Sequence, residues 1–139
     1  AWSMAPVGGW LAASRSLAGF GEIAWLWLFS VLWVAGFDII YATMDEAFDR
    51  EAGLHSLPAQ VGKRPALTIA ALLHAAAFAS LYLLWYRQLR ADAALLWLAG
   101  IGALLIWQHA IAEKRPEFVF FQLNAWLGFL ILGLVASGV

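Results

Sequence analysis

The sequence has no cysteine and few charged residues, and each shortage excludes a class of protein. Without cysteine, the 139 residues hold no disulfide framework, thiolate nucleophile or cysteine-based zinc site. Charged residues make up 12% of the chain and hydrophobic residues 64%, whereas soluble domains carry about 25% and 45–50%. Because a domain of this size leaves about a third of its unfolded surface exposed, that excess cannot be hidden from water. A water-soluble globule and a disordered chain are both excluded.

A strong charge of either sign is also absent. The formal net charge is −1, which argues against a nucleic-acid partner, since such a partner needs a basic face. The remaining class is an integral membrane protein, or a part of one.

Three segments between charge clusters have the length of a membrane span. About 20 apolar residues cross a bilayer core of about 30 Å as a helix. Ala66–Tyr86, Ala93–Ala112 and Phe118–Val139 meet that length. A fourth segment opens at Ile23. The composition therefore predicts an all-α, multi-pass transmembrane helical bundle with about four full spans.

The fourth segment contains acidic residues beyond its apolar part. Nothing between Ile23 and Asp49 breaks a helix, so we expect one helix that continues through Asp38 towards Asp49. Gly53 and Pro58 then end it, because glycine suits a helix C-terminus and proline cannot continue the hydrogen-bond ladder.

The first 20 residues form a less regular piece. Ala1–Leu17 is apolar apart from Arg15, and it contains Pro6 and a Gly8-Gly9 pair. It lacks an initiator methionine and a basic region, so it is not typical of a signal peptide. We expect a partial helix whose beginning is missing, and a short interfacial helix is the alternative.

Basic residues in the short connections predict the orientation in the membrane. One side carries five of them and the other three: Arg50, Lys63, Arg64, Lys114 and Arg115 against Arg15, Arg87 and Arg90. The excess places the loop 50–65 in the cytoplasm.

Three carboxylates are spaced to share one face of the predicted helix. Asp38, Asp45 and Asp49 are seven and four residues apart, which places them within about 40° of one another, with Tyr41 on the flank. A bare charge inside the apolar region costs at least about 2.5–3.5 kcal/mol, so a positive partner is expected. Oxygen ligands with open positions favour Mg²⁺ shared with a phosphate-bearing substrate. The alternative is a helix end whose carboxylates reach headgroup water, which would not explain Asp38.

The acidic segment also resembles a known motif. Asp38-x-x-Tyr41-Ala42-x-x-Asp45-x-x-x-Asp49-Arg50 is similar to the second aspartate-rich motif of the UbiA superfamily of intramembrane aromatic prenyltransferases. The resemblance extends over essentially the whole chain, through Ala1-Trp2-x-x-Ala5-Pro6-x-x-Gly9-Trp10, Gly53-Leu54-His55-Ser56-Leu57-Pro58, Val61-Gly62 and Gln122-Leu123-Asn124-x-Trp126.

The resemblance covers only the family's C-terminal half. The family's first motif, Asn-Asp-x-x-Asp-x-x-x-Asp, does not occur here, and the family is about twice as long. Residues 1–139 are therefore expected to be a truncated product, a fragment or one half of a split protein, with an N-terminal half as partner. His55 stands where ubiquinone-type members commonly have lysine. The His55-Ser56-x-Pro58 version is closer to the branch of 4-hydroxybenzoate or menaquinone-pathway polyprenyltransferases.

The resemblance implies an activity in a bacterial inner membrane. It implies Mg²⁺-dependent transfer of a polyprenyl group from a polyprenyl diphosphate to an aromatic acceptor such as 4-hydroxybenzoate, in ubiquinone or menaquinone biosynthesis. By the motif, Asp45 and Asp49 are Mg²⁺ ligands, Asp38 is a ligand or an orienting residue, and Tyr41 is a hydrogen-bond donor or a cation-binding ring. Contacts to the diphosphate are expected from Arg50, Lys63, Arg64 and Ser56.

Other polar residues carry weaker signals. His74 and His109 lie in predicted spans, and both are expected to face neighbouring helices rather than to act as bases. His109, on the motif side, is the better candidate for the substrate chamber. Asn124 either lines that chamber or bonds another helix. His55 and Ser56 are either part of a lid or ordinary turn residues.

Two readings from other classes stay open. The chain could be a non-enzymatic membrane subunit that binds or conducts a cation through its acidic helix. It could also be an inactive assembly partner, although the intact motif argues against that reading.

Overall fold

The computed structural model describes residues 2–138, and within them every regular element is helical. After a 3₁₀ turn at Trp2–Met4, the helices are α1 (Ala5–Ser14), α2 (Phe20–Ala42), α3 (Glu46–Glu51), α4 (Leu57–Val61), α5 (Lys63–Leu89), α6 (Asp92–Ala112) and α7 (Pro116–Gly138). Four of them, α2, α5, α6 and α7, are long and apolar enough to cross a membrane. The predicted all-α bundle with about four spans is confirmed. Ala1 and Val139, the ends of the resemblance and of the last predicted span, lie outside the described residues.

The predicted continuous helix from Ile23 to Asp49 is wrong. Helix α2 ends at Ala42, where the Thr43 hydroxyl donates a 2.7 Å hydrogen bond to the Ile40 carbonyl. That bond competes with the backbone ladder, which is why threonine favours a helix end. A short turn follows, and the separate helix α3 begins at Glu46. Asp38 therefore lies in α2 and Asp49 in α3, whereas Asp45 lies in the turn just before α3.

The short helices α3 and α4 connect the first two spans at one end of the molecule. Gly53 follows α3 with a φ of 67°, a left-handed conformation that glycine adopts without strain. The Ser56 hydroxyl then accepts a 3.4 Å hydrogen bond from the Ala59 N–H at the start of α4. Glycine and proline thus interrupt the chain as expected, but after α2 has already ended.

The closest helix pairing is between α2 and α5, because small residues allow it. Ala66, Ala70 and Ala77 on α5 are fully buried, and Gly36 on α2 lies directly against His74. In lipid the hydrophobic effect does not draw helices together, so small residues at an interface favour association by close packing. Two clusters of buried side chains hold the bundle, and the smaller one lies at the end near α3: Ile40, Ala70, Ala112, Val119 and Leu123.

Helix α7 contains a wider turn near its start. Its first residues, Pro116–Phe118, are followed by a π-helical turn at Val119–Leu123 before the α-helix resumes at Asn124. Such π-turns occur often at functional sites. This one directs Phe120 and Phe121 towards α2, where both line a cavity between α1, α2 and α7.

Candidate active site

A cavity of about 800 Å³, the main cavity, lies between α1, α2 and α7. Its wall is almost entirely apolar, with polar side chains only at Ser30, Asp38 and Asn124. The remaining lining residues are Ala5, Pro6, Leu26, Phe29, Trp33, Val34, Phe37, Phe120, Phe121, Ala125, Gly128 and Ile131. A cavity of this volume and polarity matches a site for an apolar small molecule with a few groups that fix its orientation.

An aromatic row on α2 begins in the wall of this cavity and continues beyond it. Phe29, Trp33, Phe37 and Tyr41 follow one another at four-residue spacing, which places them on one helix face. The ring centroids of Phe29 and Trp33 are 5.6 Å apart, and those of Trp33 and Phe37 also 5.6 Å. Sequence analysis missed this row, although its regular spacing was visible. It supplies several π faces along one wall.

Asp38 is the acidic residue of the cavity wall. It lies one turn before the end of α2, and its side chain is exposed. Within residues 2–138 it makes no ion pair and no side-chain hydrogen bond. Asp38 is thus a carboxylate that faces an apolar space, and no lysine or arginine side chain of residues 2–138 pairs with it.

Tyr41 lies next to the cavity rather than in its wall. Its ring packs against Phe120 of α7 with centroids 4.5 Å apart, and the Phe120 ring contacts Phe37 at 5.5 Å. The Tyr41 side chain is 42% exposed. The aromatic row therefore extends from the cavity towards the end of α2 that bears the acidic turn.

Asp45 and Asp49 form a second acidic group, just beyond that end. Asp45 directly precedes α3, and the Asp49 N–H donates a 2.8 Å hydrogen bond to the Asp45 carbonyl, so the two residues are one helical turn apart. Asp45 is exposed and Asp49 is half-buried. Neither lines the cavity, and in the described part of the chain neither side chain pairs with a cation.

The donor atoms suit a hard divalent cation in a shared site, but not in a closed protein cage. No group of three or more acidic or histidine side chains within residues 2–138 is arranged to hold a metal ion. Mg²⁺ usually takes one or two carboxylates, and waters and substrate phosphates complete its coordination. The Asp45–Asp49 pair fits that arrangement by donor type and spacing. The three-carboxylate cluster predicted with Asp38 is not gathered by the structure.

Comparison with known proteins identifies the family to which this site belongs. The model of the UbiA prenyltransferase family matches residues 1–126. The chain belongs to the UbiA prenyltransferase family. The resemblance to the UbiA family is thereby confirmed, and with four apolar helices the UbiA-family chain is an integral, multi-pass membrane protein.

Curated relatives of this UbiA-family chain carry related names. It is 31% identical over 131 residues to a 4-hydroxybenzoate octaprenyltransferase of Coxiella burnetii, covering 91% of the chain and 46% of the relative. A 4-hydroxybenzoate octaprenyltransferase of Xanthomonas campestris is 35% identical over 123 residues, covering 83% and 40%. A polyprenyl transferase of Aspergillus niger is 30% identical over 135 residues, covering 91% and 39%. The chain thus spans less than half the length of these relatives. No solved structure matches it significantly.

The basic residues predicted to contact a diphosphate lie at the same end of the UbiA-family chain as the Asp45–Asp49 pair. Two of them form ion pairs and one does not. Arg50 pairs with Glu46 at 2.6 Å, and Arg64 pairs with Glu113 of α6 at 3.2 Å. The Arg64–Glu113 pair is exposed, and in the other pair Arg50 is exposed beside a partly buried Glu46, so both pairs contribute little to stability. Lys63 begins α5 and makes no ion pair within the described residues.

The two candidate chamber residues separate in the structure. Asn124 lines the main cavity and donates a 3.0 Å hydrogen bond to the Phe120 carbonyl, while its Oδ1 is buried with no partner in residues 2–138. His109 does not line that cavity. It lies between α5 and α6, beside a second cavity of about 420 Å³ that it shares with His74. Helix α6 directs His109 towards α5, and a sequence pattern does not specify such rotation.

Proposed function

We propose that this chain is the C-terminal half of an intramembrane aromatic prenyltransferase. The reaction is the Mg²⁺-dependent transfer of a polyprenyl group from a polyprenyl diphosphate to an aromatic acceptor of the 4-hydroxybenzoate type, in ubiquinone or menaquinone biosynthesis. The observation that carries the proposal is an apolar, aromatic cavity whose wall, within residues 2–138, has Asp38 as its one acidic residue, a short stretch of chain before the Asp45–Asp49 pair. Family membership and the names of the relatives support it.

The diphosphate end of the substrate belongs at the acidic turn. Asp45 and Asp49 would hold Mg²⁺, which supplies positive charge to stabilise the departing diphosphate. Lys63 adds positive charge from the protein, and so do Arg50 and Arg64 when released from Glu46 and Glu113. The Ser56 hydroxyl retains donor capacity, since it only accepts a hydrogen bond from the Ala59 N–H.

The prenyl end belongs in the cavity. When the allylic carbon–oxygen bond breaks, its electron pair leaves with the diphosphate and positive charge develops on the prenyl carbon. The ring faces of Phe37 and Tyr41 and the carboxylate of Asp38 stabilise that charge. A ring carbon of the acceptor then forms the new bond, and its proton passes to the released diphosphate. The apolar wall excludes water, which would otherwise capture the cation.

Further carboxylate ligands for Mg²⁺ are assigned to a partner segment. The relatives are more than twice the length of this chain, and the chain carries one acidic motif. We assign the second set of carboxylates to an N-terminal half that binds beside α1 and α2. The membrane is a bacterial inner membrane, with α3 and α4 on the cytoplasmic side.

The test is prenyl transfer by this chain together with an N-terminal half of the family. Membranes containing both halves are assayed with a polyprenyl diphosphate and 4-hydroxybenzoate, with and without Mg²⁺. Asp45→Asn is expected to lower the rate about 100-fold or more, because a metal ligand is lost. Glu51→Gln, an exposed carboxylate of the same short helix, is the matched control and should remain close to the parent. No product in any pairing would reject the enzyme, and Mg²⁺ binding without diphosphate would favour a cation-binding subunit instead.

A further inference from the structure

His74 connects three of the four long helices. Its side chain is 1% exposed, and it extends from α5 to both neighbouring helices. Its Nε2 lies 3.1 Å from the Trp33 carbonyl of α2, while its Nδ1 lies 3.0 Å from Gln108 Nε2 and 2.9 Å from His109 Nε2, both on α6. Every nitrogen of the ring is thus within hydrogen-bond distance of another helix.

The partners determine which nitrogen of His74 carries the proton. A carbonyl oxygen can only accept a hydrogen bond, so the His74 Nε2–H donates to Trp33. The amide nitrogen of Gln108 can only donate, so in this arrangement the His74 Nδ1 accepts and the ring is neutral. The His109 Nε2–H shares the single lone pair of that Nδ1, as a bifurcated hydrogen bond. The Gln108 Oε1 is buried with no partner among residues 2–138.

The space that His74 occupies exists because position 36 is glycine. A Cβ added at Gly36 would lie 2.4 Å from two atoms of the His74 ring, which is closer than such atoms can approach. The ring therefore packs directly against the backbone of α2. Gly36 and His74 form one contact, since a side chain at position 36 would displace the imidazole.

This contact lies behind the wall of the main cavity. Trp33, whose carbonyl accepts the hydrogen bond, presents its ring to the cavity, and so does Phe37, while Asp38 lies two residues beyond Gly36. A shift of α2 relative to α5 would move all three side chains together. The depth of the cavity at the acidic end thus depends on the contacts that fix α2 against α5.

From these contacts we infer that His74 is a positioning residue: as a neutral imidazole bonded to α2 and α6, it fixes the helix that carries Trp33, Phe37 and Asp38. The catalytic consequence rests on the proposed function, whereas the structural role does not. Loss of the hydrogen bonds releases α2 even when the volume of the ring is replaced.

The first test reads the protonation of the ring directly. The chain is labelled with ¹⁵N-histidine in lipid nanodiscs, and ¹⁵N spectra report which imidazole nitrogens bear protons. His74→Gln assigns one set of signals by its disappearance. The proposal expects His74 protonated at Nε2 alone. A proton on Nδ1, or on both nitrogens with Gln108 rotated to present its Oε1, would overturn it.

The second test reads the position of the cavity wall. Because the chain has no cysteine, Val34→Cys places a single thiol in that wall. His74→Leu replaces the ring by an apolar side chain and is expected to change the rate of labelling by a small thiol reagent about fivefold. His74→Gln, which can donate to Trp33 and accept from Gln108, should restore the parent rate. The matched control is His109→Leu, which leaves the bond to α2 intact and should label as the parent does.

The two tests separate this role from the enzyme itself. Equal labelling in His74→Leu and the parent, or no recovery in His74→Gln, would reject positioning by hydrogen bonds. Neither measurement requires prenyl transfer. If the assay with an N-terminal half fails while both tests succeed, the proposed function falls and the positioning role stands. If a His74 variant fails to fold, His55→Gln and His109→Leu assign the other two histidines, and the remaining signals still report the tautomer of His74 in the parent.

Discussion

At the residue scale, the acidic end of the molecule combines two kinds of side chain. Asp38 belongs to an apolar wall, whereas Asp45 and Asp49 lie beyond the helix end, outside the cavity. An ionised group in an apolar setting is costly unless a cation offsets it. This division suits a substrate with a charged head and an apolar tail, because each end meets a matching surface.

Tyr41 lies between these two surfaces, and substitutions at this position test what its ring contributes. Its ring packs on Phe120 at 4.5 Å, so we assign the ring face, rather than the hydroxyl, to the developing cation. In the two-half prenyl-transfer assay, Tyr41→Phe should keep the rate within a factor of a few. Tyr41→Leu should lower it about tenfold, the effect of losing one such interaction. If Tyr41→Phe is as slow as Tyr41→Leu, the hydroxyl carries the function and this assignment is wrong.

At the scale of the element, glycines set how closely the long helices pack. A Cβ added at Gly133 of α7 would lie 2.7 Å from ring atoms of Trp97 on α6, whereas one added at Gly128 of the same helix meets no atom within 4 Å. Tight interfaces of this kind tolerate no added methyl group without a shift of the neighbour.

The two glycines provide a matched pair. We expect Gly133→Ala to lower the free energy of unfolding by about 1–3 kcal/mol, the usual cost of overpacking. Gly128→Ala should not lower it, since alanine favours a helix and has space there. Thermal unfolding of both variants in detergent measures the difference. Equal stability of the two would show that α6 and α7 do not pack as described.

Also at this scale, the end of α2 shows what a pattern of residues leaves open. The spacing of Asp38, Asp45 and Asp49 fits one helix face, yet the chain turns after Ala42. Threonine and aspartate are common both within helix ends and in turns, and the choice depends on the packing of α3 and α4 against the bundle. Helix bounds are accordingly harder to predict than helix existence.

At the scale of the whole molecule, four spans place the two basic connections on one side of the membrane. The chain from α2 to α5, which contains α3 and α4, and the turn between α6 and α7 lie at the same end, as the Arg64–Glu113 ion pair shows. The connection between α5 and α6 lies at the other end. The excess of basic residues at the first end predicts that it faces the cytoplasm.

Single cysteines in this cysteine-free chain test that topology. A membrane-impermeant thiol reagent should label Ala52→Cys only in inverted vesicles and Asp92→Cys only in right-side-out vesicles. Both positions are exposed at opposite ends of the bundle, so each is the control for the other. Labelling of both from the same side would contradict four crossings. Labelling with the sides exchanged would reverse the orientation and leave the fold intact.

The sequence by itself determined the class of this protein and its four spans, and it singled out the acidic residues as candidates for the site. These features follow from the spacing of charges along the chain and from the cost of polar groups in lipid. It also predicted that His74 faces neighbouring helices. Only the tertiary structure decided which polar residues meet. It placed Asn124 in the main cavity with Asp38, placed His109 between α5 and α6, and separated Asp38 on α2 from Asp45 and Asp49 at α3. The reason is physical: helix rotation and the point where a helix ends depend on contacts between distant residues, which no local pattern encodes.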